Sequence, residues 1–213
     1  LKGATNVNDY KYSLADSAAA LAAQDVDTAA VVKNTQAIKT TGVTANAADL
    51  NTIDLATTLT LDANSVTTLT GTAAAVDMAI NATGIDTKAD VDVTVNGSAT
   101  VAQANSIAAA TTGVVIAQIS NTNIADLLAL NDAQINSYTI SVNTASVNAA
   151  DLNMLDGKTS VAVNANAVVT LTGTAAEIDK AINANGINTN ADVAVNVNDG
   201  TATVDQANAI AAK

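Results

Sequence analysis

The sequence predicts an α/β chain, specifically a repetitive right-handed α/β solenoid with a parallel sheet on one side and Ala-rich helices on the other. Three observations carry that expectation. The chain repeats itself at a period of about 102 residues. Within each period, short runs of β type alternate with Ala-rich runs of helical type. The composition is apolar enough to bury a core, yet almost free of aromatic side chains.

The repeat decides the architecture. Ala47-Ala48-Asp49-Leu50-Asn51 recurs as Ala149-Ala150-Asp151-Leu152-Asn153. Leu69-Thr70-Gly71-Thr72-Ala73-Ala74 recurs as Leu171-Thr172-Gly173-Thr174-Ala175-Ala176. Ala89-Asp90-Val91 returns as Ala191-Asp192-Val193, and Gln103-Ala104-Asn105 as Gln206-Ala207-Asn208, the spacing having grown by one residue after Val197. This is duplication. It divides a single solenoid segment, 1–213, into a first super-repeat at 43–144 and a partial second one at 145–213.

Strand-like runs alternate apolar residues two apart and favour Val, Ile, Thr and Tyr. They fall at 10–14, 37–41, 57–61, 91–95, 114–119, 138–142, 159–163 and 193–197. Their spacing leaves room for a helix and two short loops between parallel strands. One sheet of seven or eight strands in sequential order is expected, with Val91, Val93, Val95, Ile140, Val142, Val161, Val163, Val193 and Val195 facing the core. Helical runs cover 72–80, 98–107, 122–130 and 174–182. Val101, Ala104, Ile107 and Ala108 share one inner face, and Ile124, Leu127 and Leu128 another. Asp16 or Ser17, Thr72, Thr122 and Thr174 stand where N-caps belong. Asn81-Ala82-Thr83-Gly84 and Asn183-Ala184-Asn185-Gly186 mark the stops.

The composition narrows the chemistry. Of 213 residues none is Cys, His, Pro, Phe or Trp, and all eight basic residues are Lys. Without His the usual proton shuttle near neutral pH is missing. Without Cys or His there is no thiolate or imidazole zinc site. Without Arg there is no planar fork for phosphate. A net charge of −12 repels nucleic acid, and three Tyr offer few stacking platforms. No apolar run approaches the roughly 20 residues of a membrane span. The chain opens on Leu1, with no leader visible, and reads as a fragment of something longer. No catalytic or cofactor-binding residue is expected, so the chain is read as no enzyme. Ca²⁺ is left open as a cofactor, because Asp and Asn are scattered throughout while the Gly-rich nonapeptide of Ca²⁺-binding repeats is absent. Thr58-Leu59-Thr60 and Thr68-Leu69-Thr70 invite comparison with ice-binding Thr ladders. The expected outward row, from Thr58 and Thr60 through Asp92, Thr94, Thr139, Ser141, Ser160, Ala162, Ala194 and Asn196, is too mixed for one.

Five segments carry a family likeness. They are Ser13-Leu14-Ala15-Asp16-Ser17-Ala18-Ala19-Ala20-Leu21-Ala22, the run 99–109 from Ala99-Thr100-Val101, Thr111-Thr112-Gly113-Val114-Val115, the run 148–159 around Asn153-Met154-Leu155-Asp156-Gly157, and Val169-Thr170-Leu171-Thr172-Gly173-Thr174-Ala175-Ala176. Together they resemble the α/β repeats of giant secreted bacterial surface proteins, the RTX-type adhesins and the giant cell-surface proteins of marine cyanobacteria. The resemblance implies export to the cell surface and a structural role in adhesion, a surface coat, motility or a fibre. It also implies further copies of the same repeat, or neighbouring subunits, as partners. A carbohydrate- or Ca²⁺-binding module of a secreted adhesin is the alternative, with a polysaccharide as the open second partner.

Overall fold

A computed structural model describes residues 12–23, 35–131, 136–198 and 200–212. The chain forms two compact units, one built from Leu1–Gly97 and Ser106–Val114, the other from Ser98–Asn105 and Val115–Lys213. Both are α/β, with parallel pairing throughout the strand ladders described below.

In the first unit β1 (Tyr12–Asp16), β2 (Thr35–Thr40), β4 (Leu61–Ala63) and β6 (Ile85–Thr87) form one ladder in that order. A second ladder joins β3 (Thr44–Asn46), β5 (Thr68–Gly71) and β7 (Asp92–Ala99). Helices α1 (Ala18–Ala23), α2 (Ala47–Ala56) and α3 (Ala73–Ile80) follow their strands directly. The register is regular: Leu61 faces Ile85 and Thr44 faces Thr68, which faces Asp92. Val101–Ala110 forms α4, which contributes residues to both units.

The second unit pairs β8 (Val115–Ile119) with β9 (Ser137–Thr139), and β11 (Val163–Ala165) with β13 (Ile187–Thr189). Strands β10 (Ser146–Asn148), β12 (Thr170–Gly173) and β14 (Ala194–Val197) form a third ladder. Its remaining helices are α5 (Ile124–Leu127), α6 (Ala149–Asp156), α7 (Ala175–Asn183) and α8 (Val204–Ala211). From α2 to β6 and from α6 to β13 the elements recur in the same order at the sequence period. So do single bonds: Leu61 N–H donates to Gly84 O at 2.8 Å and Val163 N–H to Gly186 O at 2.8 Å.

The core is aliphatic. Leu61, Val66, Leu69 and Val93 are fully enclosed in the first unit, with Leu50, Ile53 and Val76 from the helices. Leu152, Leu155, Val163, Val168, Leu171 and Ile178 hold the matching places in the second. Buried Ala47, Ala73, Ala149 and Ala175 begin their helices against the strands, where a larger side chain would push the layers apart.

Helix starts follow polar chemistry. Thr72 and Thr174 accept from the N–H groups of Ala75 and Glu177 at 3.3 Å each, and Ser17 from Ala20 at 3.2 Å. Asp16 plays a smaller part, accepting from Ser17 N–H at 2.7 Å. The cap expected at Thr122 is instead Asn123, which accepts from Ala125 N–H at 2.9 Å. Asn46 and Asn148 cap α2 and α6 in the same way. Each cap satisfies an N–H that the first helical turn leaves open.

Several expectations need correction. There is not one sheet of seven or eight strands but several parallel ladders holding fourteen strands among the described residues. Each turn of the chain supplies two short strands. β4, for example, makes a tight turn through Val66, whose N–H donates to Ala63 O at 3.0 Å, and then enters β5. The runs expected at 57–61 and 159–163 are mostly loop, and β4 and β11 begin only at their last residues. The chain bends at Ser160 and Val161, which breaks the two-residue alternation, so Val161 is 36 % exposed while Thr159 takes the buried place. Val193 and Val195 are half-buried rather than enclosed, and so are Ala108, Ile124 and Leu128. The helix expected over 122–130 shortens to α5. Tyr10 lies outside the described residues.

Candidate functional site

The strand faces turned away from the core carry the polar residues that could meet a ligand. On the ladder of β3, β5 and β7, Thr44, Thr68 and Asp92 form one row, and Asn46, Thr70 and Thr94 the next. In the second unit the rows read Ser146, Thr170, Ala194 and Asn148, Thr172, Asn196. Thr58 and Thr60 lie in a loop and belong to neither. Thr68 and Thr70 do sit on one strand, but the Thr70 hydroxyl leans onto the neighbouring strand and donates to Ala45 O at 3.3 Å. Thr172 does the same to Val147 O at 3.5 Å. These hydroxyls reinforce the parallel pairing rather than forming a free repeating row.

The carboxylate of Asp62 serves a turn. Lys39, Asp62 and Asp86 stand in one register row. Lys39 Nζ lies 3.2 Å from Asp62 Oδ2. The other oxygen, Oδ1, accepts from Asn64 N–H at 3.1 Å and from Asn64 Nδ2 at 3.2 Å, and Asn64 Nδ2 also donates to Asp86 Oδ2 at 2.8 Å. The Asn64 backbone N–H first, then its side chain and Lys39, hold the Asp62 carboxyl below the ordinary carboxylate range. In the second copy the same turn is made without charge: Asn164 Oδ1 accepts from Asn166 N–H at 3.2 Å and from Asn166 Nδ2 at 2.9 Å. An amide therefore serves where the first copy has a carboxylate, so the turn uses the oxygen and not the charge. Among the described residues no group of three or more acidic, His or Cys side chains is placed to hold a metal ion.

Polar stitches also cross the helices. Asn51 Nδ2 donates to Ala75 O at 2.9 Å, and Asn153 Nδ2 to Glu177 O at 3.0 Å. In both, Oδ1 is buried without a partner. Asn105 satisfies both ends of its amide, donating to Ala129 O at 2.8 Å and accepting from Asn131 N–H at 2.8 Å. The repeat signal contained Asn51 and Asn153 as part of a matched block. It gave no sign that their amides span from one helix to the next.

A groove of about 590 Å³ opens in the second unit between Ile182, Ile187, Val193, Val195 and Ile210, with Asn166, Asn185 and Asn190 also lining it. No charged side chain lines it. It offers apolar surface and neutral amides, a setting for packing and backbone pairing rather than for proton transfer.

No family model, curated protein or solved structure matches this chain. Among the described residues no helix is long and apolar enough to cross a membrane.

Proposed function

We propose that this chain is a non-catalytic structural segment, a right-handed α/β solenoid, of an extracellular bacterial cell-surface or fibre-forming protein. The observation that carries the reading is the register. Leu61 pairs with Ile85, Thr68 with Asp92, Val163 with Ile187 and Thr170 with Ala194, all in parallel and at the same spacing, and the parallel pairs Ile38 with Leu61 and Ile116 with Ser137 are only slightly closer in sequence. A chain that returns beside itself after every such interval, and does so again after duplication, is built by adding like coils.

Such an object acts through geometry. Strands stack at about 4.8 Å per coil, whereas helix axes need about 8–10 Å, so coils fan apart on the helical side and the array curves. The small residues at helix starts bring that side toward the lower limit. Net negative charge keeps neighbouring rods apart, which suits a spacer or coat. The resemblance to repeats of secreted adhesins supports the cell surface as its place and further repeats as its neighbours.

Scattering from the purified chain tests the architecture. A compact domain of this length has a radius of gyration of about 17 Å. About nine coils rising about 4.8 Å each span only about 43 Å, too short to stand apart from that value, so the chain is measured joined end to end: two and four copies should lengthen in proportion to copy number, and a radius that follows the compact-domain curve removes the reading. Antibody against the chain should label intact cells of the producing organism without permeabilisation, and labelling only after lysis removes the surface assignment.

A further inference from the structure

We infer that Asn96 is an acceptor for an N-linked sugar. The inference rests on the reading of the chain as part of a cell-surface protein. Asparagine followed two residues on by Ser or Thr is the acceptor pattern for such a sugar on exported chains. The sequence contains it twice, at Asn81-Ala82-Thr83 and at Asn96-Gly97-Ser98, and the structure separates the two. Asn96, Gly97 and Ser98 are consecutive exposed residues of β7. Gly97 stands at the parity of Val93, Val95 and Ala99, which are buried, yet it is itself exposed, so the strand lifts off the core there. Its φ of +87° is one that glycine adopts freely, and a Cβ placed on it would meet nothing within 4 Å. Among the described residues no hydrogen bond engages the Asn96 amide or the Ser98 hydroxyl. The segment is open on the side from which an enzyme would approach it.

The other asparagine is engaged. Asn81 Nδ2 donates to Asp77 O and to Asp77 Oδ1 at 2.9 Å each and lies 3.3 Å from Ser106 Oγ, so the nitrogen that would carry the sugar is held against its own helix. The second copy supplies a control. Asn198 matches Asn96 at the sequence period and is exposed like it, but the inserted residue puts Thr201 three positions on instead of two. The chemistry needs one co-reactant, a sugar activated as a phosphate ester at its anomeric carbon. The Asn96 amide nitrogen bonds to that carbon as the bond from the carbon to the phosphate oxygen breaks. The phosphate leaves with the electron pair, and the amide gives one proton to a base of the transferase. The result is a bulky, hydrophilic group on an exposed strand.

Peptide mass spectrometry of the full chain recovered from producing cells tests this. Asn96 should carry added sugar mass, and Asn81 and Asn198 none. Asn96→Gln and Ser98→Ala should each lose the sugar while keeping the wild-type circular dichroism, and Ser98→Thr should retain it. Both positions are exposed, so folding tolerates the changes. Sugar on chain still inside the cell identifies a nucleotide-linked donor, and sugar only on chain at the surface a lipid-linked one; either result supports the inference. Asn96 bare in both pools overturns it, as does sugar on Asn81 in place of Asn96 or full occupancy in Ser98→Ala. Labelling of intact cells reports the surface reading separately, so a bare Asn96 on a labelled surface removes the inference and leaves that reading standing.

Discussion

The carboxylate of Asp54 fills the space that a side chain on Gly84 would occupy, and Asp156 stands in the same relation to Gly186. Each glycine lies just before a strand, and its carbonyl accepts from the first N–H of the strand one coil earlier, Leu61 or Val163. The end of one helix thus meets the entry of a later strand through a residue with no Cβ.

Gly84→Ala should therefore lower stability by about 1–3 kcal/mol, the usual range for overpacking. The obstructing atoms end a side chain rather than belonging to backbone, so the loss should be recoverable. Gly84→Ala combined with Asp54→Ala should regain most of it. Urea unfolding of the two single variants and the double variant reads the coupling directly, and additive losses would count against the contact. Gly113 provides the contrast. A Cβ there meets the backbone of Val91 and Asp90, so Gly113→Ala should have no such rescue by side-chain truncation.

Asn51 gives a second prediction. Its amide donates to Ala75 O, yet its Oδ1 is buried and unpartnered. An orphan buried acceptor costs roughly 1–3 kcal/mol, comparable to or more than the net gain from the single hydrogen bond made. Asn51→Leu, similar in volume, should fall within about 1 kcal/mol of the parent. Asn51→Asp removes the donor and places a carboxylate against the Ala75 carbonyl, and should cost more than about 2 kcal/mol. Equilibrium unfolding at neutral pH separates the two, and equal losses would show that the hydrogen bond is the main contribution.

These residues also show what was legible in the sequence. The duplication, the parallel α/β character and some of the buried aliphatic residues, Val91, Val93, Ile107, Ile140 and Val142 among them, could be read from it, because they rest on identities and on apolar spacing. The paired short strands could not. Three-residue strands such as Leu61–Ala63 are too short to show an alternation, and the turn through Val66 keeps an apolar residue between them, so the pair merges into its surroundings. Val161 was misplaced because a bend resets the parity that a straight strand would keep. Thr159 was missed as a core residue because its burial depends on bonds across coils: its hydroxyl donates to Tyr138 O at 2.8 Å and accepts from Tyr138 N–H at 2.9 Å. Burial at the matched triplets Ala89-Asp90-Val91 and Ala191-Asp192-Val193 was not legible either, since Val91 is fully buried and Val193 only half-buried.

The neutral turn at Asn164 leads to a prediction about charge. If Asp62 serves as a turn acceptor, Asp62→Asn should change stability by less than about 1 kcal/mol, in keeping with an exposed pair to Lys39. The thermal midpoint of the wild type should be the same in EDTA and in excess CaCl₂. An upward shift with CaCl₂ that Asp62→Asn abolishes would assign a cation to this row. The carboxyl is held below its ordinary range by Asn64 and Lys39. Its contribution is therefore present above the unfolded-state pKa and is lost as pH falls through the folded one.

Tyr138 supplies the opposite pH dependence. Among the described residues it is the largest fully buried side chain, and burial pushes its phenol up from 10.0 to about 12. An ionised phenolate would have to leave water for an aliphatic interior, so the fold favours the neutral form. The unfolded chain ionises at the ordinary value while the folded chain does not. Stability from this group is thus complete below about pH 10 and is lost as pH rises toward about 12. The measurement is urea unfolding at a series of alkaline pH values, comparing wild type with Tyr138→Phe. Below pH 10 the two curves should run parallel, and above it the wild type should lose stability faster, because the variant has no proton to release at this position. Tyr12, half-buried on β1, remains in both proteins and cancels in the comparison. Identical alkaline slopes would show that the Tyr138 hydroxyl meets solvent in the folded chain.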